Sequence, residues 1–227
     1  MGFHLMFLQQ FSGINAIIFY AAALFLNLGI QLSPNDCSII LAMFQVAATA
    51  VAVHLLDLLG RRFMLIISSL LCIITLTLMG LTDVFFEQVT TDEEMGFVHL
   101  MLPLLLTLFV VGYSIGLGPA VWITVAELVT CRGYGILMGT VAGFHWACAC
   151  AVTMLQEDQR DKVQKHSLNW LFCATSVVGL ILLAPFLPET SGLTLEALLM
   201  DEVEQTPPVT PEYEETDVVV IEPRKLF

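Results

Sequence analysis

Long apolar runs separated by short polar stretches divide the chain into six segments, expected at residues 3–28, 38–56, 63–81, 98–125, 135–155 and 168–187. Each run is close to the ~20 residues that a helix needs to cross a bilayer. Lipid offers no partner to a bare peptide group, so such spans must bond internally, as helices do. The pattern therefore predicts an all-α membrane protein with six transmembrane helices and both termini on one side. The connections differ in character. Ser33-Pro34-Asn35-Asp36 reads as a turn-former loop. Residues 57–62 are a very short link ending in Arg61-Arg62; 82–96 are longer and acidic; 130–134 carry Arg132; 156–167 are mixed in charge. Residues 1–187 thus form one six-span domain. Residues 188–204 read as an amphipathic helix at the membrane surface, and 205–227, rich in Pro, Thr and Glu, as a disordered acidic tail.

Two spans have unusual backbone chemistry. Gly112, Gly116, Gly118 and Pro119 fall within eight residues of the fourth span. Proline removes a backbone donor there, and a kink or unwinding near Gly118-Pro119 is expected. The fifth span places Gly135, Gly139, Gly143, Ala147 and Ala151 at four-residue spacing. That small-residue stripe lets another helix approach closely.

Composition agrees with a polytopic protein: 57% of residues are hydrophobic, only 13% are charged, and mean hydropathy is +0.85. The net charge of -13 comes from acids gathered at Asp92–Glu94 and after residue 200, which read as solvated ends. With 8 basic against 21 acidic residues, nothing suggests nucleic acid. The six cysteines lack metal-site spacing and read as packing residues. No signal peptide is visible before the first span. No nucleophile–base pair, metal cluster or phosphate loop appears, so no enzyme, metal or cofactor is expected. Arg61, Arg62 and Arg132 on one side balance Arg160, Lys162 and Lys165 on the other, leaving the orientation open by charge.

Candidate chemistry lies in polar residues at membrane depth. Gln9, Gln10 and Asn15 interrupt the first span. At ~100° per residue they do not share a narrow face, so either they border a wide cavity or the helix opens near Ser12-Gly13. Amides offer donors and acceptors without charge, as a hydroxyl-rich solute requires. Interhelical hydrogen bonding is the alternative. Gln45 in the second span, Trp122 beside the broken region and His145-Trp146 in the fifth span are further candidates for a cavity wall, each with a packing reading beside it. Asp57, Gly60, Arg61, Arg62, Glu127, Arg132 and Glu189 place acids and bases at span ends on one side, as a gating network would; solvated loop charges are the alternative.

These residues carry a family resemblance. QQFSGINAIIFY in the first span, Asp57-Leu58-Leu59-Gly60-Arg61-Arg62, Gly116-Leu117-Gly118-Pro119-Ala120-Val121-Trp122 with Glu127, and Pro188-Glu189-Thr190-Ser191-Gly192 resemble, in order and spacing, the C-terminal half of a major facilitator superfamily sugar porter. The facilitative glucose and trehalose transporters are the similar members. The resemblance implies transmembrane sugar transport by alternating access. It implies sugar contacts at Gln9, Gln10, Asn15, Gln45, Trp122, His145 and Trp146, and an outer gate at Phe19 and Tyr20. It also implies an inner salt-bridge network of Asp57, Arg61, Arg62, Glu127 and Glu189, with cytoplasmic termini. Gly118 and Pro119 would form the flexible point. Ser114 stands where glucose transporters carry Glu, Val121 where the motif has a second Pro, and His145 where it has Asn, which leaves the hexose or disaccharide open. The implied partners are the sugar, the lipid bilayer of the plasma membrane or an endomembrane, and either a missing N-terminal six-helix half or a second copy. A non-transporting sugar receptor or regulatory subunit, or an inactive truncated product, are the alternatives.

Overall fold

A computed structural model describes residues 1–27, 33–86, 92–128, 134–160 and 166–186. Eight helices account for nearly all of them: α1 Gly2–Phe11, α2 Ile14–Asn27, α3 Pro34–Leu59, α4 Arg61–Phe86, α5 Asp92–Ile115, α6 Leu117–Leu128, α7 Tyr134–Arg160 and α8 His166–Leu183. Four apolar stretches are long enough to cross a membrane: Asn35–Leu59, Arg61–Phe85, Leu100–Leu128 and Tyr134–Glu157. The α1–α2 pair and the shorter α8 complete the six expected segments. The chain is an all-α membrane protein. Residues 188–227, with the expected surface helix and tail, lie outside the described residues.

Four connections are more helical than expected, the link 57–62 shrinking to Gly60 between α3 and α4. Ser33 to Asp36 starts a helix: Ser33 is the N-cap, Pro34 opens α3 and Asp36 sits in its first turn. The residues that favour turns are those that favour helix starts, because proline lacks the donor a first turn cannot use. The acidic stretch 82–96 is helical at both ends, since α4 runs on to Phe86 and α5 begins at Asp92. Acids are favourable against a helix N-terminal dipole. The last expected link also narrows, as α7 continues to Arg160.

The core gathers Leu5, Met64, Leu76, Phe109, Val125 and Phe172, all nearly inaccessible. α4 packs on α5 and α8, α3 on α5 and α2, and α1 on α7, α8 and α6. Four of the five described cysteines are buried. Half of the hydrophobic window of α4 is buried, but only 22% of that of α3 and 28% of that of α7. α3 exposes Ile39, Met43, Phe44 and Val46. On α7, a side chain added at Gly135, Gly139 or Gly143 would meet nothing within 4 Å. Ala147 and Ala151 are exposed as well. The small-residue stripe therefore faces open space and has no helix against it among the described residues.

Candidate functional site

The site forms where two spans lose their helical continuity. The first opens at Ser12-Gly13, with Gly13 at φ 87°. That left-handed conformation suits glycine. A Cβ there would also lie 2.5 Å from the Phe172 ring. The second break falls at Gly116, between α5 and α6, two residues before the expected Gly118-Pro119. Pro119 is the third residue of α6, in the first turn, where an N–H would have no intrahelical partner. Gly116 is needed because a Cβ would come 2.3 Å from the Met64 carbonyl oxygen.

Each break is satisfied from a neighbouring span. The Ser68 hydroxyl donates to the Gly112 carbonyl (2.7 Å) and accepts from the Leu117 N–H (2.9 Å). The Thr175 hydroxyl donates to the Phe11 carbonyl at 2.8 Å. In lipid these exchanges replace what water would supply. The sequence reading did not single out Ser68 or Thr175. Their only signal was a hydroxyl in mid-span.

Gln9 joins the two breaks. Its amide nitrogen donates to the carbonyls of Leu117 and Gly118 at 2.9 and 3.0 Å. Its carbonyl oxygen is buried and has no hydrogen-bond partner among the described residues. The Gln10 amide nitrogen lies 3.0 Å from both ring nitrogens of His145, and its oxygen accepts from the Asn15 amide. Trp122 packs on the imidazole with ring centroids 4.8 Å apart. The expectation that all three amides face a cavity therefore meets a layered arrangement. Gln9 (1% exposed), Gln10 (2%) and His145 (7%) are buried and hydrogen-bonded between helices. Asn15, Gln45 and Trp122 are half-buried, and Trp146 is open at 67%. The inner amides find backbone and imidazole partners, so burial leaves most of their polar atoms paired. Asn15 has no bond beyond the one to Gln10, and the Gln45 side-chain amide has none, among the described residues.

Charged residues meet at one end of the bundle. Arg61 bridges Asp57 at 3.5 Å and Glu127 at 3.3 Å. It thereby ties the α3–α4 turn to the end of α6. Asp57 is largely exposed, so its bridge is weak; the Arg61–Glu127 pair is mostly shielded from water and less screened. Gly60 makes the turn at φ 88°, and Arg62 donates to the Ala184 carbonyl at 3.0 Å beyond the end of α8. Phe19 is exposed on α2, and Tyr20 follows it on the same helix. Arg132 and Glu189 lie outside the described residues.

Comparison with known proteins supplies the frame for this geometry. The family profile described as "Sugar (and other) transporter" matches residues 1–200. The facilitated trehalose transporter Tret1-1 of Drosophila simulans is 37% identical over 194 residues, which are 85% of this chain and 22% of that protein. Facilitated trehalose transporter Tret1 of Bombyx mori is 35% identical over 196 residues, 86% of this chain and 38% of that protein. The chain thus spans about a fifth to two fifths of these relatives. Among solved structures, the proton:xylose symporter XylE bound to 6-bromo-6-deoxy-D-glucose superposes with a TM-score of 0.72 at 24% identity, over 88% of this chain and 41% of that one. A D-xylose-proton symporter structure gives 0.70 at 22% identity, over 85% and 43%. These two likenesses establish the major facilitator fold. The family is one of transporters rather than enzymes, and the apolar helices make this a multi-pass membrane protein. The chain belongs to the sugar (and other) transporter family.

Proposed function

We propose that this chain is the C-terminal six-helix half of a sugar porter, which moves a small hydroxyl-rich sugar down its gradient by alternating access. The observation that carries the reading is the meeting of two interrupted helices around amides, with acceptors that the protein leaves unspent at Gln9 and Asn15. Broken helices at membrane depth belong where they line a cavity or are covered by protein. Asn15, Gln45, Trp122 and Trp146 are the groups that reach open space, and they form the sugar-contacting wall. Gln9, Gln10 and His145 stand behind Asn15 and Trp122 and hold them. Indole faces suit the apolar C–H faces of a sugar ring, and amides suit its hydroxyls.

The partner is a second six-helix half, which supplies the opposite wall. It covers the exposed apolar face of α3 and the small-residue stripe of α7. Rocking between halves requires the helix ends to come together and part. The Asp57–Arg61–Glu127 cluster and the Arg62–Ala184 bond hold ends together in one state and break in the other. Arg132 and Glu189 join that inner network, Phe19 and Tyr20 form the outer gate, and Gly60, Gly118 and Pro119 give the backbone its turning points. The network end and both termini are cytoplasmic, with residues 188–204 as a surface helix and 205–227 as an acidic tail. The membrane is the plasma membrane or an endomembrane. The names of the relatives favour trehalose as the substrate, with hexoses second.

Proteoliposomes holding the assembled two-half transporter are expected to equilibrate labelled trehalose or D-glucose down a gradient, with saturation. A rate no faster than that of empty liposomes for trehalose, D-glucose and D-xylose alike would overturn the proposal.

A further inference from the structure

A groove of about 500 Å³ runs between α1 and α8. Phe7 forms one wall, and Ala174, Val178, Gly179 and Leu182 form the other. The α8 wall extends from Ala174 to Leu183, about 14 Å at helical rise. Thr175 also lines it, but its hydroxyl is taken up by the carbonyls of Phe11, Leu171 and Phe172. The remaining polar group of the lining is the imidazole of His4 at one end. Such a wall offers a sugar almost nothing to bond, whereas a hydrocarbon chain asks only for contact.

Position decides what meets the groove. α8 packs on α4 and α1 and makes no comparable contact with α3 or α7 among the described residues. α1 packs on both α8 and α7, so it stands between the groove and the α7 stripe that the proposed second half covers. The mouth of the groove is continuous with the apolar flank of α8, where Val178, Ile181 and Leu182 are exposed. In a protein that crosses a membrane, such a flank faces lipid. The floor lies against α1: a Cβ on Gly179 would come 2.6 Å from Leu8 Cδ1. The Phe7 ring stacks on that of Phe11 with centroids 4.2 Å apart, and the Phe11 carbonyl is the one that Thr175 holds at the first break.

We propose that the α1–α8 groove is a lipid site that holds one acyl chain of a membrane phospholipid. The chain gives Phe7 the packing that no helix supplies on its open side, and so backs the end of α1 where the span opens. The site does not depend on which sugar is carried.

The assembled transporter is reconstituted in phosphatidylcholine vesicles containing a small fraction of phosphatidylcholine with a diazirine midway along one acyl chain. After irradiation, labelled residues are identified by mass spectrometry. Leu182 in the groove and Ile74 on α4 outside it are equally open, at 57% and 54%. Leu182 is expected to be labelled about 5-fold more than Ile74, because a held chain stays where a passing one leaves. Ala174→Trp and Val178→Trp each fill the groove from an exposed position. Either is expected to bring the ratio to within about 2-fold, with labelling of Ile74 unchanged. Equal labelling of Leu182 and Ile74 in wild type would mean bulk lipid contact only and overturns the proposal. So does a Leu182 that stays unlabelled while Ile74 reacts, since protein then covers the groove. Enrichment by a diazirine sterol and not by the phospholipid, or a ratio kept by either folded tryptophan variant, overturns it as well. Folding is checked by elution as a single species in detergent; should neither variant fold, the wild-type ratio still decides.

Discussion

Replacing Gly116 by alanine is expected to destabilise the bundle by about 3 kcal/mol. The new Cβ would lie 2.3 Å from the Met64 carbonyl oxygen and 2.5 Å from the Ser68 Cβ. The first obstacle is backbone, so no rotamer change relieves it. Moving α4 away would also separate the Ser68 hydroxyl from the Gly112 carbonyl and the Leu117 N–H, uncovering the break that it satisfies. Gly96→Ala is the control, because nothing lies within 4 Å of its Cβ. Thermal unfolding in detergent is expected to show Gly116→Ala melting on the order of 10 °C below wild type, with Gly96→Ala unchanged. Equal melting of the two variants would mean that α4 and α6 do not meet as closely as described.

The largest effect on transport is expected from Gln9→Leu combined with Asn15→Leu. Leucine matches the volume of these amides closely enough to keep the packing. The substitutions remove the ties from Gln9 to the Leu117 and Gly118 carbonyls and the open acceptor of Asn15. Loss of one substrate hydrogen bond and loosening of the wall that positions Trp122 together cost about 2–3 kcal/mol, so uptake should fall about 30- to 150-fold. Insertion and elution in detergent should remain those of wild type. A well-folded double variant carrying sugar at the wild-type rate would remove these residues from the site.

The spans were legible because lipid imposes a length and an apolar composition that few other folds share. The second break was legible from glycine and proline to within two residues and the first as one of two alternatives at Ser12-Gly13, and the local residues also carried the Arg61 cluster, whose Asp57 lies one turn away. What closes the breaks was not. Ser68 resembles Ser69 in sequence, yet Ser69 bonds its own helix at Leu65 while Ser68 reaches residues 44 and 49 positions away. Thr175 meets Phe11 across 164 positions. Which way a mid-span hydroxyl turns is decided by the neighbour that packing brings. The same reason hid the division among the amides. Gln9 and Gln10 are adjacent and alike, but one faces the second break and the other faces His145, and neither partner is local. Helix starts at Ser33-Pro34 and Asp92 were read as loops because caps and turns use the same residues.

Alternating access requires that water reach Asn15 from each side of the membrane in turn. Asn15→Cys is placed in the assembled transporter after the six native cysteines have been replaced. A charged, membrane-impermeant thiol reagent is then added from each side in turn, with and without saturating trehalose or D-glucose. Labelling is expected from both sides, as the cavity opens alternately, and more slowly when the transported sugar is present. A thiol that water-borne reagent never reaches, or one labelled at a rate that neither sugar changes, would contradict it.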